Sequence, residues 1–115
     1  MTNIESLQKK IREFAQERDW EQYHSPKNLA MALSVEVAEL LEIFQWLSEE
    51  ESYKLDDSQL SALKQEIGDV LIYLTGLADT FDLDPLECAE AKIKLNEIKY
   101  PPHIVKGSAK KYNKY

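Results

Sequence analysis

Ser25-Pro26-Lys27-Asn28-Leu29-Ala30-Met31-Ala32-Leu33-Ser34-Val35-Glu36-Val37-Ala38-Glu39-Leu40-Leu41-Glu42-Ile43-Phe44 is the stretch on which the fold turns. Serine caps a helix and proline suits its first turn, where the backbone nitrogen needs no partner, so the spacing predicts a helix from Pro26 to about Leu47. Apolar residues occupy every side of it, and such a helix must be surrounded by neighbours, from its own chain or from another subunit. Glu36 and Glu39 interrupt this surface three residues apart and therefore share one face. Glu66 and Asp69 repeat the spacing inside a second strongly apolar stretch. Burying an ionised carboxylate costs on the order of several kcal/mol even after relaxation, so four in one core need counter-charge. The two acidic pairs point to a divalent cation, magnesium first.

The flanking sequence supplies three more helices. Ile4, Leu7, Ile11 and Phe14 fall at helical spacing behind a Thr2/Glu5 capping box, which predicts a helix ending near Arg18. Trp20 to His24 reads as a loop. Glu49-Glu50-Glu51 reads as a solvated run, and the end of Asp56-Asp57-Ser58 as the cap of a third helix. Its core stripe is Leu60, Leu63, Ile67, Val70, Leu74, Leu77 and Phe81. Asp84-Pro85-Leu86-Glu87 opens a fourth helix towards Lys99, with a capping residue, an N1 proline and a glutamate three after the cap. Pro101-Pro102 ends it, and a polar, irregular segment runs from His103 to Tyr115. With no strand pattern, repeat or domain break, the expectation is an all-α, antiparallel four-helix bundle in one domain (1–115), with an irregular basic tail (101–115).

Composition narrows the function classes. The 115 residues are 43% hydrophobic and 30% charged, which excludes a disordered chain and allows one modest core that association would help. Cys88 is the only cysteine, so an intramolecular disulfide and a cysteine zinc cluster are excluded, and a reducing, cytoplasmic setting is expected. No signal peptide or membrane span is legible. The net charge of −7 hides an asymmetry, because residues 1–91 carry 7 basic and 20 acidic groups while residues 92–115 carry 7 lysines against Glu97 alone. An acidic body disfavours nucleic acid as a partner. A basic tail folded over an acidic metal site can hold a phosphate chain between lysines and metal.

Each acidic pair also has an aromatic residue at helical spacing, Trp46 seven after Glu39 and Tyr73 four after Asp69. If the two helices pack antiparallel, the four carboxylates form an all-oxygen cage suited to Mg2+, or to Mn2+. A di-iron centre is disfavoured, since such bundles place histidine on the ligating helices, whereas His24 and His103 fall in predicted loops. Lys92, Asn96 and Tyr100, spaced by four, put an ammonium, an amide and a phenol along one edge of the fourth helix. The competing reading from another class is a non-catalytic helical adaptor or cation-binding oligomerisation module.

These residues resemble the MazG-like all-α nucleoside triphosphate pyrophosphohydrolases, whose E-x-x-E and E-x-x-D motifs match Glu36/Glu39 and Glu66/Asp69. The resemblance covers nearly the whole chain and is most specific to the dCTP pyrophosphatase branch. It is carried by Phe14-Ala15-Gln16-Glu17-Arg18-Asp19-Trp20-Glu21-Gln22-Tyr23-His24, Phe44-Gln45-Trp46, Asp69-Val70-Leu71-Ile72-Tyr73-Leu74, Lys99-Tyr100-Pro101-Pro102-His103 and Lys110-Lys111-Tyr112. It implies magnesium-dependent hydrolysis between the α and β phosphates, with Glu36, Glu39, Glu66 and Asp69 as metal ligands and catalytic residues. It further implies a base and sugar pocket at Trp20, Trp46 and Tyr73, with His24 among the substrate-binding residues. Lys92, Asn96, Tyr100, Lys111 and Tyr112 correspond to positions around the phosphates and sugar. Ile11 stands where the vertebrate members have a histidine near the base, so dCTP is favoured while dATP or a modified deoxynucleotide stays open. A homodimer or a tetramer built as a dimer of dimers is expected.

Overall fold

The computed structural model describes residues 2–107, and Lys111 and Tyr112 lie outside them. Among the described residues the chain forms α1 (Ile4–Glu17), α2 (Pro26–Phe44), α3 (Asp57–Thr80), α4 (Pro85–Lys99) and a short α5 (Pro102–Val105), with 3-10 turns at Glu21–Tyr23 and Glu51–Tyr53. The four long helices are the four expected, and no strand is present among the described residues.

The helix ends explain where the boundaries differ. Asn3 rather than Thr2 caps α1, its side chain accepting from the Ser6 amide while the Ser6 hydroxyl accepts from the Asn3 amide. Asp56, the first of its three polar residues rather than the last, makes the same reciprocal arrangement with Gln59. α2 stops at Phe44, three residues short of the expected end. The Glu51 carboxylate then accepts from the Ser48 amide at 2.9 Å, and the Glu51 amide donates to Ser48 Oγ at 3.1 Å. Donation to the carboxylate from the Ser48 amide, and secondarily from the Ser48 side chain, lowers the pKa of Glu51, so one member of the acidic run, exposed as expected, also serves as a cap. Pro102, expected only to terminate, occupies the first turn of α5, which places His103 on a helix instead of in a loop.

α1 and α3 both end in Schellman motifs. The amides of Asp19 and Trp20 donate to Gln16 and Ala15, and those of Asp82 and Leu83 to Asp79 and Ala78. Asp19 and Asp82 take the left-handed conformation that the motif requires, with φ of 54° and 55°. The first of these turns reverses the chain and delivers Trp20 beside α1.

α2 and α3 form an antiparallel hairpin. The Glu36 and Glu66 carboxylates meet across the pair, while Leu29, near the start of α2, lines one pocket with Ile72, Tyr73 and Gly76, near the end of α3, so the two helices run in opposite directions. α1 lies along the second half of α3, also antiparallel: Arg12 pairs with Asp79 and, further back along α1, Gln8 donates to the Leu83 carbonyl. α4 meets the other helices sparsely, mainly α3.

One chain does not close a core. Among the described residues only Ala15, Leu29 and Thr75 are buried. The accessible surface is 9323 Å², against roughly 6,500 Å² for a compact monomer of this mass. The radius of gyration, 17.6 Å, exceeds the ~13 Å of a globular chain of this length. Four members of the expected α3 stripe, Leu60, Ile67, Leu74 and Phe81, are exposed for lack of a covering helix, as are Val35 and Leu41 of α2 and Ile93 and Ile98 of α4. No helix of the described residues is long and apolar enough to cross a membrane.

Candidate active site

The α2–α3 hairpin brings one carboxylate oxygen each of Glu36, Glu39 and Glu66 within 4.8 Å of one another. Glu36 and Glu66 are half-buried, whereas Glu39 is exposed. Glu36 Oε2 and Glu66 Oε2 are fully shielded from solvent and lack a hydrogen-bond partner. A buried polar oxygen without a donor is destabilising, and two facing each other are more so. Asp69, one turn beyond Glu66, stands outside the closest group, but its charge acts on Glu36. Burial first, then the neighbouring Glu66 and Glu39 side chains and the charges of Glu39 and Asp69, push the Glu36 pKa up from 4.5 to about 7.

This donor set fits a hard divalent cation. All four groups offer oxygen, no histidine or cysteine joins the cluster among the described residues, and a cation would satisfy the two orphaned oxygens while removing the repulsion that raises the Glu36 pKa. No side-chain cation is paired with these carboxylates among the described residues, whose ion pairs lie elsewhere.

Asp69 also lines an open pocket of about 490 Å³ between α1, α3 and the turn that follows α1. Trp20, His24 and Tyr73, three of the expected substrate residues, line it. The Phe14 and Trp20 rings meet edge to face at 5.7 Å, and Trp20 and His24 at 6.3 Å. An apolar pocket with aromatic walls next to a carboxylate cluster can hold a flat heterocycle joined to an anionic, cation-bound group.

The other expected residues lie elsewhere. Trp46 is 87% exposed and outside the pocket; the helical register that would carry it to the side of Glu39 ends at Phe44. Lys92 and Asn96 sit on α4 and Tyr100 at its C-cap, none of them against the pocket in one chain. The pocket in turn recruits Lys10, Arg12, Glu21 and Asp79, which the sequence did not single out. Arg12 Nε lies 2.9 Å from Asp79 Oδ2. No local pattern joins two residues so far apart in the chain.

Comparison with known proteins gives a consistent picture. Residues 31–114 match the model of the MazG-like family. The chain is 43% identical over 111 residues to dCTP pyrophosphatase 1 of Mus musculus and 41% identical over the same length to that of Homo sapiens, covering 95% of this chain and 65% of each relative. It therefore spans just under two thirds of the length of those relatives. A crystal structure of a pyrophosphatase from Archaeoglobus fulgidus superposes with a TM-score of 0.81 at 45% identity, covering 88% of this chain and 94% of that one.

Proposed function

This chain belongs to the MazG-like family, and from that premise we propose that it hydrolyses a deoxynucleoside triphosphate, dCTP or a related or modified dNTP, to the monophosphate and pyrophosphate. The observation that carries the reading is the convergence of Glu36, Glu39 and Glu66 with two buried, unpartnered oxygens beside a pocket with aromatic walls. The reading extends to a role in nucleotide-pool sanitation, and a chain with a single cysteine suits the reducing cytoplasm.

In this reading Glu36, Glu39, Glu66 and Asp69 would hold Mg2+, with Mn2+ as a substitute. When bound, the ion neutralises the phosphate charge that would repel an incoming oxygen nucleophile. Trp20 and Tyr73 stack on the base, a contact worth ~1–3 kcal/mol per base in nucleic-acid binding proteins. Asp69 lines the pocket and its charge acts on Glu36 of the cluster, so a base in the pocket directs its phosphates towards the carboxylates. Glu39, the exposed member of the three, is the one open to a solvent water and accepts its proton as the oxygen attacks the α phosphorus. The bond from that phosphorus to the bridging oxygen then breaks, and pyrophosphate leaves with the electron pair.

The exposed apolar faces of α2, α3 and α4 support a homodimer or a tetramer formed as a dimer of dimers. The excess surface is roughly 3,000 Å² per chain over the expectation for a compact monomer, or about 6,000 Å² for two chains, which reaches the upper range of obligate interfaces counted over both partners. Within such an assembly Trp46, Lys92, Asn96 and Tyr100 can serve a site that one chain leaves incomplete.

The deciding experiment is a panel of common and modified nucleoside triphosphates with Mg2+, read by release of both monophosphate and pyrophosphate. Turnover of dCTP or another dNTP is expected, with loss in Glu66→Gln. Absence of pyrophosphate from every member would refute the proposal.

A further inference from the structure

We propose that the Arg12–Asp79 pair reads the hydrogen-bonding edge of the nucleobase and selects bases in which an exocyclic amino group adjoins an acceptor ring nitrogen, as in cytosine and adenine; this rests on the function proposed above. Stacking on Trp20 or Tyr73 tolerates any base, because every base has a π face. Discrimination therefore needs polar groups placed at the edge of the ring.

The α3 face that lines the pocket carries Asp69, Tyr73, Gly76 and Asp79, at intervals of four, three and three residues that keep one side of a helix. From Asp69 to Asp79 this face is about 15 Å long at the helical rise. That length accommodates a nucleotide lying along it, phosphates towards Asp69 and base towards Asp79. Gly76 keeps the middle open: a Cβ there would meet only Ile11 Cγ2, at 3.8 Å. Ile11 offers no polar atom, so it cannot read the base.

Arg12 and Asp79 stand at the far end, on opposite walls. Theirs is the one ion pair among the described residues that joins two helices; the others link adjacent residues or successive turns. The Arg12 side chain is 54% exposed and that of Asp79 23%, so the pair adds little as a strut. A carboxylate engages at most two of the five guanidinium N–H donors, and each carboxylate oxygen keeps a further acceptor site. The pair thus presents a fixed acceptor and fixed donors side by side to the pocket.

Cytosine offers the complementary edge, an amino donor at C4 next to an acceptor at N3, and adenine repeats it with its 6-amino group and N1. Uracil reverses both positions. Asp79 accepts from the amino group and Arg12 donates to the ring nitrogen, so amino-bearing bases are favoured over their oxo counterparts.

The test is kcat/KM for dCTP, dATP and dUTP with Mg2+ on the full chain, for the native protein and Asp79→Asn, with melting temperature and helical circular dichroism recorded for each. The native protein is expected to prefer dCTP over dUTP, and Asp79→Asn to reduce that ratio about tenfold or more, since an amide can turn its N–H2 to the 4-oxo group. A ratio changed less than about twofold beside a lowered melting temperature would make the pair a helix tether and overturn the proposal. Equal native rates with dCTP and dUTP would overturn it too. If Asp79→Asn loses its helical signal, the ratio is read on Arg12→Met, where it must also fall. Failure of the native protein to release pyrophosphate from any nucleotide would instead refute the underlying reaction.

Discussion

Replacing Glu36 with glutamine should abolish a proton that is otherwise released when magnesium binds. Burial and the adjacent Glu66 and Glu39 carboxyls raise the Glu36 pKa from 4.5 to about 7. In the metal-free protein the folded state therefore holds this proton more tightly than the unfolded chain does. The stability it contributes is full below pH 4.5 and is lost as pH rises through about 7. A cation binds only the ionised form and competes with the proton. Glu36 is about one-tenth ionised at pH 6 and nine-tenths at pH 8 by simple titration, so apparent magnesium affinity should rise about tenfold between them. Calorimetric titration at pH 6, 7 and 8, repeated in buffers of different ionisation enthalpy, reads both the affinity and the released proton. In Glu36→Gln the affinity should be lower throughout and this pH slope should flatten. Native affinity that does not change between pH 6 and 8, or a slope that survives the substitution, would refute the assignment of Glu36 as the titrating ligand.

Three other outcomes are expected. Glu39→Ala and Asp69→Ala should each lose pyrophosphate release while keeping helical circular dichroism, since neither is buried; retained turnover would remove them from the site. Thr75 is fully buried and its hydroxyl oxygen lacks a partner, so Thr75→Val should leave the fold intact and stabilise it by roughly 1 kcal/mol, seen as a raised denaturation midpoint. Leu41→Lys, at a position 60% exposed on α2, should lower the mass measured by sedimentation equilibrium if that face joins subunits.

The helices were legible because their signals are local. Ser25 with Pro26 and Asp84 with Pro85 fix the starts of α2 and α4 in the sequence as in the structure. The misplaced ends have equally local causes: Thr2 and Asn3 are both competent caps, and only the packed conformation chooses between them. Ser48 and Glu51 form a reciprocal capping box across the turn after α2, an S-x-x-E spacing that is hidden in a run of three glutamates. The expected placement of Trp46 on the side of Glu39 came from extending a helical register past Phe44, where the helix stops.

Sequence by itself determined the four long helices, the two acidic pairs and their placement on helical faces, because these depend on spacing along one chain. Only the tertiary structure decided that Glu36, Glu39 and Glu66 converge while Asp69 faces the pocket as well, that Arg12 reaches Asp79, and that α4 is left without a covering surface. Helical periodicity dictates which side chains share a face. Which faces meet depends on the direction in which whole helices pack, and that is set by the area they jointly remove from water.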